Sequence, residues 1–253
     1  MVPTTRPSEV LLMRTTRPHG PGPRGRLRVV LALVLLVLVA PAGAATATAT
    51  DGGHHGHAAR YGTTGARFWQ WGLTQPAATS PLFDTTGAFC DEGQRGRTWF
   101  LAGYTGGPIT RTCTVPAGTT LVFPVVNAFY GATPGDPPEQ STVAFVREQV
   151  AGLRAGAHDL RVTVDGTALP ASRIRYEDSV VFSVTLPDGN VFGAPAGTVV
   201  SPTVDAGYYV TLRPLRPGTH TVRIEGAVDA APPVGSFSVD VTYVLTVLRG
   251  HRH

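Results

Sequence analysis

Apart from those near the two ends, the chain carries two histidines, His158 and His220, and both fall in phase with strand residues that read as inward: His158 with Leu160, Val162 and Val164, and His220 with Val222 and Ile224. Imidazoles near two strand starts could meet across a sheet and ligate a metal, with a carboxylate such as Asp178 completing the shell. Their wide separation in sequence gives that pairing no specific support, and a hydrogen-bonded core or edge histidine is the simpler reading. Two adjacent acid pairs occur, Asp91-Glu92 and Glu177-Asp178. Neighbouring strand residues point to opposite faces, so neither pair is a ready acid/base couple, and both read as solvated loop charges. No G-x-S-x-G, H-E-x-x-H, P-loop or dinucleotide fingerprint is present in the sequence. No cofactor is implied.

Phe68-Trp69-Gln70-Trp71 is the densest aromatic cluster. Exposed indoles on a rigid sandwich can stack on sugar rings, which makes Trp69 and Trp71 candidates for binding. On a helix those two side chains point far apart while Phe68 and Trp71 share a face, so at most one indole joins a flat platform. An amphipathic helix plugging one end of the sandwich is the simpler alternative. Gly131 to Pro138 and Gly189 to Pro202 are Gly/Pro-rich loops of the kind that carry recognition. Tyr208 and Tyr209, just after the second, are the other binding candidates.

Cys90 and Cys113 can be joined in only one intramolecular way, and a bridge would contribute about 3 kcal/mol through loop closure. A disulfide fits an oxidising compartment, and the N-terminus points to the same place. Arginines at 14, 17, 24, 26 and 28 lead into an uninterrupted apolar run from Val29 to Ala40, followed by Pro41-Ala42-Gly43-Ala44. That order is the pattern of a secretory signal peptide cut between Ala44 and Ala45. As a helix the run rises about 18 Å, against roughly 30 Å of bilayer core, so it is short for a membrane span. The membrane therefore enters only through the leader before cleavage. The charged lead is long, and Met13 would be a more usual start than Met1.

Cleavage changes the charge reading. All 21 basic residues are Arg, and six of them lie in the leader with one of the 17 acids, leaving 15 against 16. The mature chain is near neutral, which offers no clustered basic surface for nucleic acid. His54, His55 and His57 near one end, with His251 and His253 at the other, could chelate a metal weakly but without fixed geometry.

Residues 45–58 hold no large apolar side chain and read as a flexible tail, leaving 59–250 as a single domain. Apolar or β-branched runs bounded by Gly and Pro predict strands at 98–102, 109–115, 119–126, 159–164, 173–176, 180–186, 207–213, 219–225 and 236–248. Pro124 requires an edge or a bulge. Asp165-Gly166 predicts a tight hairpin into the run at 173–176. A helix is predicted from an Asp136 N-cap to Gly156, with a weaker one over 65–74. The whole reads as mainly β, a two-sheet antiparallel sandwich of jelly-roll or immunoglobulin-like character with one or two short helices. A closed barrel is the alternative.

Six segments carry a resemblance: Pro81-Leu-Phe-Asp-Thr-Thr-Gly87, Thr98-Trp-Phe-Leu-Ala-Gly103, Arg111-Thr-Cys-Thr-Val-Pro-Ala-Gly118, Phe123-Pro-Val-Val-Asn127, Pro214-Leu-Arg-Pro-Gly-Thr-His220, and Val241-Thr-Tyr-Val-Leu-Thr-Val247. In these the chain resembles a group of secreted bacterial β-rich proteins with no assigned function. The resemblance implies an exported single domain with the same Trp-rich start, and brings no catalytic residue or substrate. The expected function is therefore an extracellular or cell-envelope binding module towards glycan or another envelope component. The alternatives are an extracellular hydrolase of envelope polysaccharide or peptide using His158 and His220, and a structural surface protein without a small ligand.

Overall fold

The computed structural model describes residues 63–249. The leader with its Ala44/Ala45 junction, the tail and the terminal histidines lie outside the described residues. The chain begins with helix α1 (Thr64–Leu73) and continues through β1 (Thr98–Phe100), β2 (Ile109–Val115) and β3 (Thr120–Gly131). Helices α2 (Val143–Val150) and α3 (Leu153–Gly156) follow, then β4 (Ala157–Val164), β5 (Thr167–Ala168), β6 (Arg175–Asp178), β7 (Phe182–Thr185), β8 (Val199–Leu212), β9 (Gly218–Val228) and β10 (Phe237–Val247).

These strands form two five-stranded sheets. In the first the order is β1-β3-β8-β6, with β7 also paired to β8; in the second it is β2-β10-β9-β4-β5. The fold is the expected mainly-β sandwich, with one correction: the sheets are mixed. β1 runs parallel to β3, and β2 runs parallel to β10 over seven residue pairs. A parallel partner needs a crossover rather than a hairpin. Here β2 supplies it by leaving for the other sheet between β1 and β3, and the last strand returns to lie beside it.

One core joins the sheets, drawing Leu121, Phe123, Val125, Val204, Ala206 and Val210 from the first and Val162, Ile224, Val241 and Leu245 from the second. β10 shows the expected alternation, with Val239, Val241, Tyr243, Leu245 and Val247 buried. Pro124 lies in a central strand and takes the bulge: the β3–β8 register shifts between Pro124 and Val126. Asp165 (φ 49°) and Gly166 (φ 77°) make the expected tight turn, but it leads into the two-residue β5, while β6 lies in the other sheet.

Two sequence expectations shift their boundaries. The helix starts at Val143, where Thr142 caps it by accepting a bond from the Phe145 N–H at 3.2 Å. Asp136 instead accepts from the Thr133 N–H at 2.6 Å, and Pro138–Ser141 is a single 3-10 turn. β8 begins at Val199, so the second Gly/Pro loop gives its end to a strand in which Pro202 has no ladder donor to lose.

Cys90 and Cys113 form a disulfide, with Cα atoms 6.0 Å apart, tying the 80–90 loop to β2. Beside it Arg111, 1% exposed, points between the sheets. Its Nε donates to the Asp84 carbonyl at 2.6 Å, and its Nη1 donates to the Ala102 carbonyl at 2.8 Å and to the Tyr243 hydroxyl at 2.6 Å. Gly87 (φ 92°) lies so close to the Thr112 backbone that any Cβ would collide with it.

Candidate functional site

Three places on this frame hold the residues with chemistry. The first is the outer face of the first sheet, covered by α1. The apolar side of α1 buries Ala66, Phe68, Trp71 and Leu73. Phe68 and Trp71 share that side as the helical spacing requires, and Trp71 stacks on Phe100 with ring centroids 5.4 Å apart. Trp71 is therefore closed to a ligand, and its indole N–H donates to the Glu92 carbonyl at 2.9 Å. Trp69 points elsewhere, half-buried against Phe129 at 4.1 Å, and its indole N–H donates to Asp205 Oδ1 at 2.6 Å.

Asp205 is fully buried on β8. Besides Trp69, its carboxylate accepts from the Tyr209 hydroxyl at 2.8 Å and the Asn127 amide at 3.3 Å. Its backbone exchanges bonds with Ser179, both at 2.8 Å. Burial pushes Asp205 up to about 7, outweighing the three donors that favour its charge, and the nearby Glu177 carboxylate pushes the same way. Burial also raises Glu177 and carries the Tyr209 phenol well above its ordinary value. Tyr208 and Tyr209 separate onto opposite faces because they are adjacent on a strand. Tyr209 joins this cluster, while Tyr208 packs between the sheets against Tyr176 at 5.2 Å. The cluster is sealed: a carboxylate with no exposed surface meets no substrate, and its evident work is to seat α1.

The second place is the 80–90 loop. Asp84 organises it by accepting from the Thr86 N–H at 2.8 Å, the Thr86 hydroxyl at 2.9 Å and the Phe89 N–H at 2.9 Å. Those bonds hold Asp84 below the usual carboxylate range, against the opposing effect of burial. Phe83 and Phe89, on either side of this turn, are 39% and 36% exposed. Two aromatic rings thus stand in water on a loop fixed at its centre by Asp84, at one end by the disulfide, and from below by Arg111.

The third place is the outer face of the second sheet. β4 bulges against β9 between His158 and Arg161, with Asp159 at φ 53°. The bulge turns His158 outward, out of phase with Val162 and Val164, to a half-exposed position where Nδ1 meets Asp159 at 2.9 Å and Nε2 meets Asp229 at 3.1 Å. A shallow, open depression of about 480 Å³ lies beside it, lined by Asp159, Leu160, Arg161, Glu225, Gly226 and Ala227. His220 sits at the far end of β9, bonded to Asp165 at 2.7 Å and to the Arg216 carbonyl at 2.8 Å. His158 pairs with Ala227, which places the two histidines about 23 Å apart along the strand. Asp178 belongs to the other sheet and accepts from the Tyr176 hydroxyl at 2.7 Å. The three residues do not converge. Among the described residues no group of three His, Cys, Asp or Glu side chains is placed to hold a metal ion.

The His220 contact gives a pH-dependent result. Its bond to Asp165 raises the imidazole, and Asp165 is lowered in return. The stability this adds is fully present below the ordinary histidine value and is lost as pH rises through the raised one. The pair is near the surface, so the effect is under about 1 kcal/mol. His220→Gln should remove that part of the change in melting temperature between about pH 5 and pH 8, the span over which histidine changes charge, and an unchanged profile would count against it.

Asp205, Asn127, Arg111, Phe83 and Phe89 were not singled out by sequence reasoning, and Glu177, read there as a solvated loop charge, is half-buried on β6. Asp205 sits in Thr203-Val-Asp-Ala-Gly207, a polar residue inside an apolar run, and a buried charge in a central strand is the one signal that could have marked it. No known protein family, curated protein or solved structure matches the chain.

Proposed function

We propose that the protein is exported and acts as a non-catalytic binding module towards glycan or another cell-envelope component, with the 80–90 loop as its contact element. The observation that carries this reading is the pair of exposed rings, Phe83 and Phe89, on a loop held rigid by a disulfide and a buried guanidinium. A loop already fixed in its bound shape loses little entropy on association. Phenylalanine offers an apolar face and no donor, which suits the C–H face of a sugar ring. The leader pattern and the disulfide support export, and no helix among the described residues is long and apolar enough to cross a membrane. Binding is favoured over hydrolysis because Asp205, the carboxylate pushed up to about 7, is sealed under α1 and the two histidines are apart.

A glycan array on the protein and on its Phe83→Ala/Phe89→Ala variant tests this. The variant should lose about tenfold or more in affinity, the loss of one to two kcal/mol typical of truncating a ring that anchors an interface. Its circular dichroism should not change. Flat signals from the parent protein across polysaccharides, or equal binding by the variant, would reject the reading.

A further inference from the structure

The seating of α1 goes beyond the binding reading and stands apart from it. Asp205 and Glu177 share the outer face of the first sheet: Glu177 lies directly across from Gly207, two residues along β8 from Asp205. They are diagonal neighbours, roughly 7 Å apart by strand geometry, and the residue between them has no side chain. Both reach the start of α1. Glu177 accepts from Thr64, by its backbone and its hydroxyl. Gly65 lies so close to Asp205 that a Cβ there would strike the carboxylate.

Little around the pair balances two negative charges: Arg147 of α2 donates to the Ser179 carbonyl, beside the Asp205 backbone, and makes no ion pair with either carboxylate. On β6 the cation acting on Glu177 is Arg175. From β8 comes the Tyr209 phenol, and from β3 the uncharged Asn127. From α1 comes the Trp69 indole, while Arg67 of that helix reaches Thr98 at 3.5 Å instead. Asp205 therefore has three neutral donors and no ion pair, and Glu177 Oε2 is buried without a partner.

We propose that α1 is a proton-held cover: Asp205, fully buried, and Glu177, half-buried beside it at the first turn of the helix, keep α1 seated while the pair holds a proton and release it when both are charged. With the proton present, Asp205 Oδ2 can donate to the Tyr209 oxygen while Oδ1 goes on accepting from Trp69 and Asn127. Without it, two charged carboxylates share one face of the sheet, Asp205 with no access to water, and lifting α1 is the move that hydrates it. Release uncovers Phe100, Val122 and Tyr209, an apolar surface buried in the seated form.

The sign follows from the raised carboxylates. The seated form holds a proton that the released form gives up, so seating is strongest below the ordinary carboxylate value. It weakens as pH climbs from about 4 to about 7 and is level beyond that.

Hydrogen exchange on the full-length protein, corrected for the intrinsic rate, at about pH 4.5 and about pH 8 reads this directly, since local opening and global unfolding protect different segments. Amides of α1 should lose about tenfold or more in protection at the higher pH and fall below those of β9 and β10. Asp205→Asn, which replaces the carboxylate with a neutral group of the same shape, should hold α1 protected at both. Glu177→Gln, at a less buried position, should reduce the difference and serves where Asp205→Asn fails to fold. Equal α1 protection at both pH values in the parent overturns the proposal. So does α1 protection equal to that of β9 and β10 at the higher pH, or a difference that survives unreduced in every variant that folds.

Discussion

Arg111→Ala is expected to lower the free energy of unfolding by about 3–5 kcal/mol, the largest effect of any single substitution proposed for this protein. The guanidinium joins three elements at once: the 80–90 loop through the Asp84 carbonyl, the segment just after β1 through the Ala102 carbonyl, and β10 through the Tyr243 hydroxyl. Tyr243 in turn accepts from the Ala102 N–H at 3.0 Å and donates to the Ala102 carbonyl at 2.8 Å. Truncation leaves buried acceptors unpaired and a cavity beside them. The charge is tolerated because those oxygens and two flanking rings, Tyr243 at 5.6 Å and Tyr104 at 6.0 Å, surround it. Arg111→Lys should recover part of the loss, since an ammonium keeps the charge but cannot span all three acceptors. Urea unfolding midpoints decide it, and an Arg111→Ala midpoint within about 0.5 kcal/mol of the parent would refute the account. Because Arg111 holds the loop from below, the same variant should also weaken ligand binding by that loop.

Opening the disulfide, by reduction or by Cys90→Ala with Cys113→Ala, is expected to destabilise the protein by about 3 kcal/mol. The effect arises mostly in the unfolded chain, which gains the freedom of a long loop. β1 lies within that loop, and β2 forms one of its ends, so the bridge constrains a stretch of chain that contributes a strand to each sheet. Denaturation with and without reductant measures it, and coincident curves would refute it. Arg111 and Cys113 are neighbours on one face of β2, so the two perturbations should not add: the loop released by one has less left to lose from the other.

Much of the strand pattern was legible because burial on one face writes a period of two into the sequence. β10 shows this most plainly, with its inward residues from Val239 to Val247. Turn chemistry was legible for the same local reason, since Asp165-Gly166 is among the few pairs that accept two positive φ angles. What failed was whatever depended on a partner strand. His158 reads as inward by counting, yet the bulge at Asp159, specified by the pairing of β4 with β9, reverses its side. Asp136 reads as a helix cap, yet Thr133 competes for its carboxylate one turn of chain earlier.

By itself the sequence determined the mainly-β class, the one possible disulfide, the apolar side of α1 and the alternation of the long strands, all consequences of local propensity and periodic burial. Tertiary structure alone decided that the sheets are mixed and that His158, His220 and Asp178 stay apart. It also decided that Asp205 meets Trp69 and Tyr209 under α1, and that Arg111 anchors the loop carrying Phe83 and Phe89. Those facts are contacts between residues far apart in the chain, and no local pattern encodes which distant strand a residue will face.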